Sequence, residues 1–327
     1  MRRRDVLKML AGATIAAPSR AAAQTPAKIY RLGTLTVGPP IPSTAGPGAM
    51  LVAGLAQRGF TLGQNLAYEA RGAAGNVSQT PNLMQELKAA NVDVVVTVSY
   101  PAAAAAKASG VATVIASGSG DPVKTGLVAS LARPGGNVTG ISDDAAALST
   151  KRLGYLKELS PQLRKVAMLW NKDDLGMSQR YDASAQAAQE LGITVLPLGV
   201  REPDDFNEAF TAMDNNPPDA ILMVTDSLTL LNRKRVFDYA AAHRLPAIYE
   251  QDFMARDGGL MSYGADPKES FDRAAALAAQ IFHGAKPADL PFELPTRYLL
   301  VINLKTAKAM NLAVPNTLAA LADEVIE

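Results

Sequence analysis

The residues best placed for chemistry in this chain are hydroxyls, aromatics and carboxylates that follow short apolar runs. Ser99 and Tyr100 follow VDVVVTV, Ser117 ends VATVIAS, Asn171 ends KVAMLWN, Asp226 follows AILMVT and Glu250 follows AIY. Together such groups can hydrogen-bond a small anion and face a cation. They are poorly suited to covalent chemistry. The chain has no cysteine, so thiolate nucleophiles, disulfides and thiolate metal sites are excluded. Its two histidines, His243 and His283, stand beside Arg244 and Gly284 at the ends of helical patterns and read as surface residues. No Gly-x-Ser-x-Gly elbow or nucleophile–base pair is present. The expectation is a binding protein with no catalytic residue, no metal and no cofactor. An α/β enzyme or a ligand sensor acting on a small carboxylate or amide is the competing reading.

The stretch VSYPAAAAAK is the most informative. Proline suits the first turn of a helix, where its missing N–H would have no partner anyway. The residue before it is held extended. Tyr100 is therefore expected to cap a helix starting at Pro101, with Ser99 in the turn. The N–H groups of Ala102 and Ala103 would then point into a cleft beside the Ser99 hydroxyl, an arrangement suited to a carboxylate.

ASGSGDPV has the composition of a phosphate loop but neither the Lys-Ser/Thr ending nor the dinucleotide glycine spacing. Asp121, before Pro122, reads as the cap of a following helix; Ser117 and Ser119 offer hydroxyls to the cleft. Asp226 and Glu250 end successive apolar runs. Each faces water, awaits an ammonium group of a ligand, or forms an internal pair with a residue such as Arg233. Tyr100, Trp170, Tyr249 and Tyr263 are candidates for a pocket wall.

The elements that must position these residues alternate between apolar β-branched runs and helical patterns. KIYRLGTLTV, NLAYEARGA, VDVVVTVS and VATVIASGS read as strands, with helices around 49–58, 79–90 and after Pro101, and a further helix start at DPVKTGLVASLA. Continuous Val/Ile runs in βα alternation indicate a parallel sheet covered on both faces. After the turn-rich join ARPGGNVTG the pattern begins again: helix 145–159, strand KVAMLWN, helix 178–191, strand ITVLPLGV, helix 206–214, strand AILMVTD, helix 228–243, then AIYEQ and GLMSYG. The expected fold is α/β, two Rossmann-like lobes with parallel sheets joined by a hinge. Lobe 1 takes residues 28–141 with 266–296, and lobe 2 takes 142–265 with 297–327. In such sheets, ligands bind beyond the carboxyl ends of the strands. That is where the six residues named first stand.

The front of the chain is different. Arg3-Arg4-Asp5-Val6-Leu7-Lys8 is similar to a twin-arginine export signal; a short apolar segment and Ala21-Ala22-Ala23 follow. The segment is far shorter than the roughly 20 residues that span a bilayer. Residues 1–23 are therefore expected to be a signal peptide cut after Ala23. Its removal leaves 27 basic against 30 acidic side chains. That balance argues against nucleic acid as a partner.

GDPVKTGLVASLARPGGNVTGIS, LPAIYEQDFMARDGGLMSYG, GAKPADLPFELPTRYLLVINLKTAKAMNL and the ending LADEVIE resemble the TrpX-like ABC-transporter substrate-binding protein family over nearly the whole mature chain. The resemblance implies a type I periplasmic binding protein: a soluble, monomeric, exported component of an importer. It closes on an amino acid or related carboxylate between its lobes and delivers it to an ABC permease. Carried over by position, Ser99, Tyr100 and Ser117 belong to the first-lobe half of that ligand site, and Asn171, Asp226 and Glu250 to the second. Two features depart from the family pattern: Asp226 is followed by Ser227 where a proline is frequent, and the loop TVGPPIPSTAGPG is rich in Pro and Gly.

Overall fold

The structure, a computed structural model, describes residues 28–142 and 144–327. The export leader expected at residues 1–23 lies outside the described residues.

Val94, Val95 and Val96 are all fully buried, which a strand achieves only when both faces of its sheet are covered. The first sheet does this with five parallel strands in the order β2-β1-β3-β4-β5: β1 Tyr30–Thr36, β2 Leu66–Gly72, β3 Val94–Val98, β4 Thr113–Ser117 and β5 Val138–Gly140. Leu32, Val94, Val96 and Val114 pack on one face against α1 (Gly46–Ala56) and α10 (Pro267–Phe282). Leu35 and Val95 pack on the other against α2 (Thr80–Ala89) and α3 (Tyr100–Ser109). The alanines of α3 let it sit close to the sheet: Ala102, Ala103 and Ala106 are completely buried.

The second sheet has seven strands in the order β12-β11-β10-β9-β8-β6-β7. These are β6 Lys165–Asn171, β7 Thr194–Val200, β8 Ala220–Met223, β9 Ala247–Tyr249, β10 Met261–Ala265, β11 Tyr298–Asn303 and β12 Glu324–Ile326. All neighbours are parallel except β10 and β11. Helices α4 (Ala145–Leu159), α5 (Leu175–Glu190) and α12 (Asn316–Leu321) cover one face; α6 (Asp205–Asn215), α8 (Arg233–His243) and α9 (Asp252–Arg256) cover the other. Two further short α-helices are α7 (Ser227–Leu231) and α11 (Leu304–Ala309).

The chain passes between the sheets three times: after β5, after β10 and before β11. These passages are tied together. Ser142 N–H donates to the Glu293 carbonyl (2.8 Å), Glu293 N–H donates to the Gly140 carbonyl (2.9 Å), and Asp266 N–H donates to the Arg297 carbonyl (3.0 Å).

Two expected elements differ. DPVKTGLVASLA forms turns instead of a helix. Asp121 does cap there, its Oδ1 accepting from the Val123 and Lys124 N–H groups (2.9 and 3.2 Å), but Gly126 takes φ +74° and ends the turn. The single helix expected over 228–243 breaks into α7 and α8 at Asn232, whose amide donates back to the Leu228 carbonyl at 2.9 Å.

Candidate functional site

Ser99 joins β3 to α3 and stands at the N-cap, with Tyr100 and Pro101 as the first two helical residues. The start is thus one residue earlier than the proline suggested, and Ser99, not Tyr100, is the cap. Its backbone has φ +90° and ψ 154°, a region that side chains other than glycine rarely enter. Its carbonyl accepts the Ala103 N–H at 3.2 Å, so of the two amides expected at the cleft only that of Ala102 precedes the helical ladder. The hydroxyl makes no capping bond. It is buried, with 7% of the residue exposed, and has no hydrogen-bond partner among the described residues. Ser99 N–H donates to the Ser117 carbonyl at 3.0 Å, which places these two serines side by side at the ends of β3 and β4.

Across the cleft, Glu250 follows β9 and is 4% exposed. Arg152 of α4 donates from Nη1 to Oε1 (2.9 Å), and Arg180 of α5 donates from Nη1 to Oε2 (2.6 Å). The Thr225 N–H also donates to Oε2, at 2.9 Å. Of the two roles open to Glu250 from sequence, the internal pair is the one the structure displays, with Arg152 and Arg180 as partners; Arg233 pairs instead with Asp257. Gly264 makes this approach of chains feasible: a Cβ there would stand 2.0 Å from the Glu250 carbonyl oxygen.

Asp226 caps α7, accepting the Thr229 N–H at 2.8 Å, while the Thr229 hydroxyl accepts the Asp226 N–H at 2.9 Å. Asn171 Nδ2 donates to the other carboxylate oxygen at 2.6 Å. Asp226 therefore also has internal partners. Nearby Asp174 caps α5 through the Gly176 and Met177 N–H groups. Burial pushes its carboxyl up to about 7, with the charge of Asp226 adding to the rise and the two N–H groups and Arg180 opposing it.

The two sheets face each other across a small cavity of about 60 Å³. Ser117 and Phe271 line it from the first-sheet side, and Asp144, Arg152, Arg180, Glu250 and Gln251 from the second. Around it the halves touch. Asp121 N–H donates to Gln179 Oε1 at 3.1 Å, and Gly176 lies so close that a Cβ there would meet Ser119 at 2.9 Å and Tyr100 Cβ at 3.1 Å. Of the aromatics considered as pocket walls, Tyr249 is buried core against Phe237. Trp170 stacks on Tyr181 at 3.6 Å, and Tyr263 packs between Tyr155 and Tyr298. His243 packs on Tyr239 and His283 on Phe60, away from the cavity. Among the described residues no cluster of three His, Cys, Asp or Glu could hold a metal ion, and no helix is long and apolar enough to cross a membrane.

Arg152 and Arg180 were not anticipated. Both carried a signal: Arg152 falls in the series Leu148–Arg152–Leu156, and Arg180 lies between Met177 and Ser184, so each charge sits on the buried stripe of its helix. A charge on such a stripe requires a buried partner.

This arrangement, two α/β sheets meeting across a cleft that their strand ends line, is the fold of the type I periplasmic binding proteins. The family described as ABC transporter substrate binding protein matches residues 48–326, and the chain belongs to that family. It is 26% identical, over 79% of its length and 74% of the relative's, to a tyrosine-binding protein of Clostridioides difficile. Among solved structures it is similar to a Streptococcus pneumonia ABC domain in complex with L-Trp, with a TM-score of 0.84 and 24% identity over 91% of this chain and 100% of that one. A conserved domain protein of Vibrio cholerae matches with the same TM-score and coverage at 22% identity. The ligand-free, open structure of a Clostridium difficile substrate binding protein with adhesive properties gives a TM-score of 0.66 at 22% identity, over 91% and 99% of the two chains.

Proposed function

We propose that this chain is the exported, periplasmic binding component of an ABC importer, and that it takes a small carboxylate-bearing solute, an amino acid first of all, into the cleft between its lobes, which must widen beyond the cavity of about 60 Å³ to admit it. Lobe 1 comprises residues 28–141 with 266–296, and lobe 2 comprises 142–265 with 297–327. The observation that carries the reading is Ser99. It has a buried hydroxyl without a partner among the described residues, on a backbone held in a costly conformation, at the start of a ten-residue helix and beside the cavity-lining Ser117. A group so placed supports recognition of an oxyanion by hydroxyl and helix N-terminus together. The relative that binds tyrosine and the similar structure that holds L-Trp support an aromatic amino acid as the first probe.

Transport rests on differential affinity: contacts from both lobes favour the closed form, which the permease then receives. The protein works as a monomer and does no chemistry on the solute. Removal of residues 1–23 through the twin-arginine route delivers it to the periplasm. Titration calorimetry with L-tyrosine and L-tryptophan tests the reading. Wild type is expected to bind one of them at one per chain, and Ser99→Ala about tenfold more weakly, the loss of one hydrogen bond to a charged group. A wild type that binds no L-amino acid, or a Ser99→Ala variant that binds like wild type, would overturn the assignment.

A further inference from the structure

We infer that Asp144 is the acidic group that receives the ammonium of an α-amino acid in the cavity, an inference that rests on reading the cavity as an amino-acid site. The other carboxylates nearby have work of their own. Glu250 is held by two arginines and the Thr225 N–H, Asp226 by Thr229 and Asn171, and Asp174 by two backbone N–H groups at the head of α5. Asp144 differs from all three. It lines the cavity and is half-buried, and its carboxylate forms no hydrogen bond or ion pair with a described residue. Although it occupies the N-cap of α4, its side chain makes no capping bond. An aspartate at that position normally accepts an N–H of the first turn. Its backbone carbonyl accepts the Leu148 N–H at 3.0 Å, the ordinary first bond of the helix, and the carboxylate takes no part in the cap. The carboxylate is left over from the fold.

The surroundings fit a cation. A half-buried carboxylate without a partner is costly, and a ligand ammonium would relieve that cost while completing the site. Facing it around the cavity are Arg152, Arg180, Glu250 and the Gln251 side chain, with the Tyr263 and Tyr298 hydroxyls close enough to feel its charge. Ser99 and the start of α3 lie across the cleft on the other lobe, so the two poles of an amino acid would be gripped by different lobes. Asp144 also lies two residues after Ser142, whose N–H is bonded to Glu293 in the passage between sheets. A ligand held there ties directly into the segment that must bend. The same carboxylate would discriminate against solutes lacking an amine, since it would then stay buried beside an apolar group.

The test uses two matched sets and the mature chain: L-tyrosine, tyramine and 3-(4-hydroxyphenyl)propionate, then L-tryptophan, tryptamine and indole-3-propionate. Asp144→Asn keeps size and shape, and its melting temperature checks the fold. Calorimetry is expected to show Asp144→Asn weakened about 10- to 100-fold toward the amino acid and the amine, and equal or tighter toward the acid. Asp144→Asn binding the amino acid like wild type, or losing all ligands equally, overturns the inference while leaving the amino-acid reading standing. A wild type that binds the acid as tightly as the amino acid also overturns it. A wild type that binds no L-amino acid overturns both.

Discussion

Replacing Glu250 by glutamine separates the role the structure gives this residue from the ligand role open to it on sequence alone. The carboxylate, Arg152 and Arg180 have side chains that are 4%, 5% and 11% exposed, so all three charges are buried together. In Glu250→Gln one oxygen can still accept from an arginine, but the new amide presents N–H groups to the other guanidinium and to the Thr225 N–H. Breaking a buried pair from one side costs about 3–5 kcal/mol, because the surviving charge stays buried. At about 2–4 °C per kcal/mol for a unit of ~150–250 residues, the melting temperature should fall by about 6–20 °C. The comparison is Arg233→Ala, which breaks a half-exposed pair with Asp257 and should cost less than about 1 kcal/mol. Thermal unfolding followed by circular dichroism supplies both values. A Glu250→Gln variant that melts within about 3 °C of wild type, yet discriminates against ligands with an amine, would refute the argument and return Glu250 to the ligand.

Three further outcomes follow from the site. Ser99→Gly should raise stability by about 1 kcal/mol, since glycine adopts φ +90° without strain, and should weaken ligand binding in the same protein; a variant that is no more stable by denaturant titration would contradict the strain. Asp174 holds its proton up to about pH 7 against an ordinary value of 3.8, so the stability linked to that proton is complete below about pH 4 and is lost as pH rises through 7. The full difference is worth about 4 kcal/mol, and Asp174→Asn should flatten the melting temperature between pH 5 and 8; an unaltered profile would contradict it. Gly176→Ala puts a methyl 2.9 Å from Ser119 and should hold the lobes apart; small-angle scattering should then show no compaction with ligand, and wild-type compaction would contradict the contact.

Sequence periodicity was enough to outline the two sheets, because buried parallel strands must be apolar on both faces and VDVVVTV or KVAMLWN can be little else. It also led to Ser99, since a proline shortly after such a run marks where strand turns into helix. It gave no way to assign partners to Glu250. Arg152 and Arg180 are 98 and 70 residues away from it, and only the packing of α4 and α5 on the second sheet brings them together. Local chemistry misled at two points. Asp121 does cap a turn, but Gly126 denies it a helix, and Asn232 breaks a run whose hydrophobic pattern was continuous. Asp144 was invisible for a related reason: an aspartate before a helix reads as a cap, and only the geometry reveals that the carboxylate is not used as one.

The central claim is that the cavity between the lobes selects a small carboxylate. It is tested most directly by unfolding the purified mature protein, refolding it free of solute, and dialysing it against a mixture of the twenty L-amino acids with their aromatic des-amino acids. Mass spectrometry of the retained solute is expected to find one amino acid, or a narrow group of them, enriched to about one per wild-type chain and depleted on Ser99→Ala. Folded wild-type protein that enriches no carboxylate from the mixture, or that retains the same solute equally in the Ser99→Ala variant, would contradict the account.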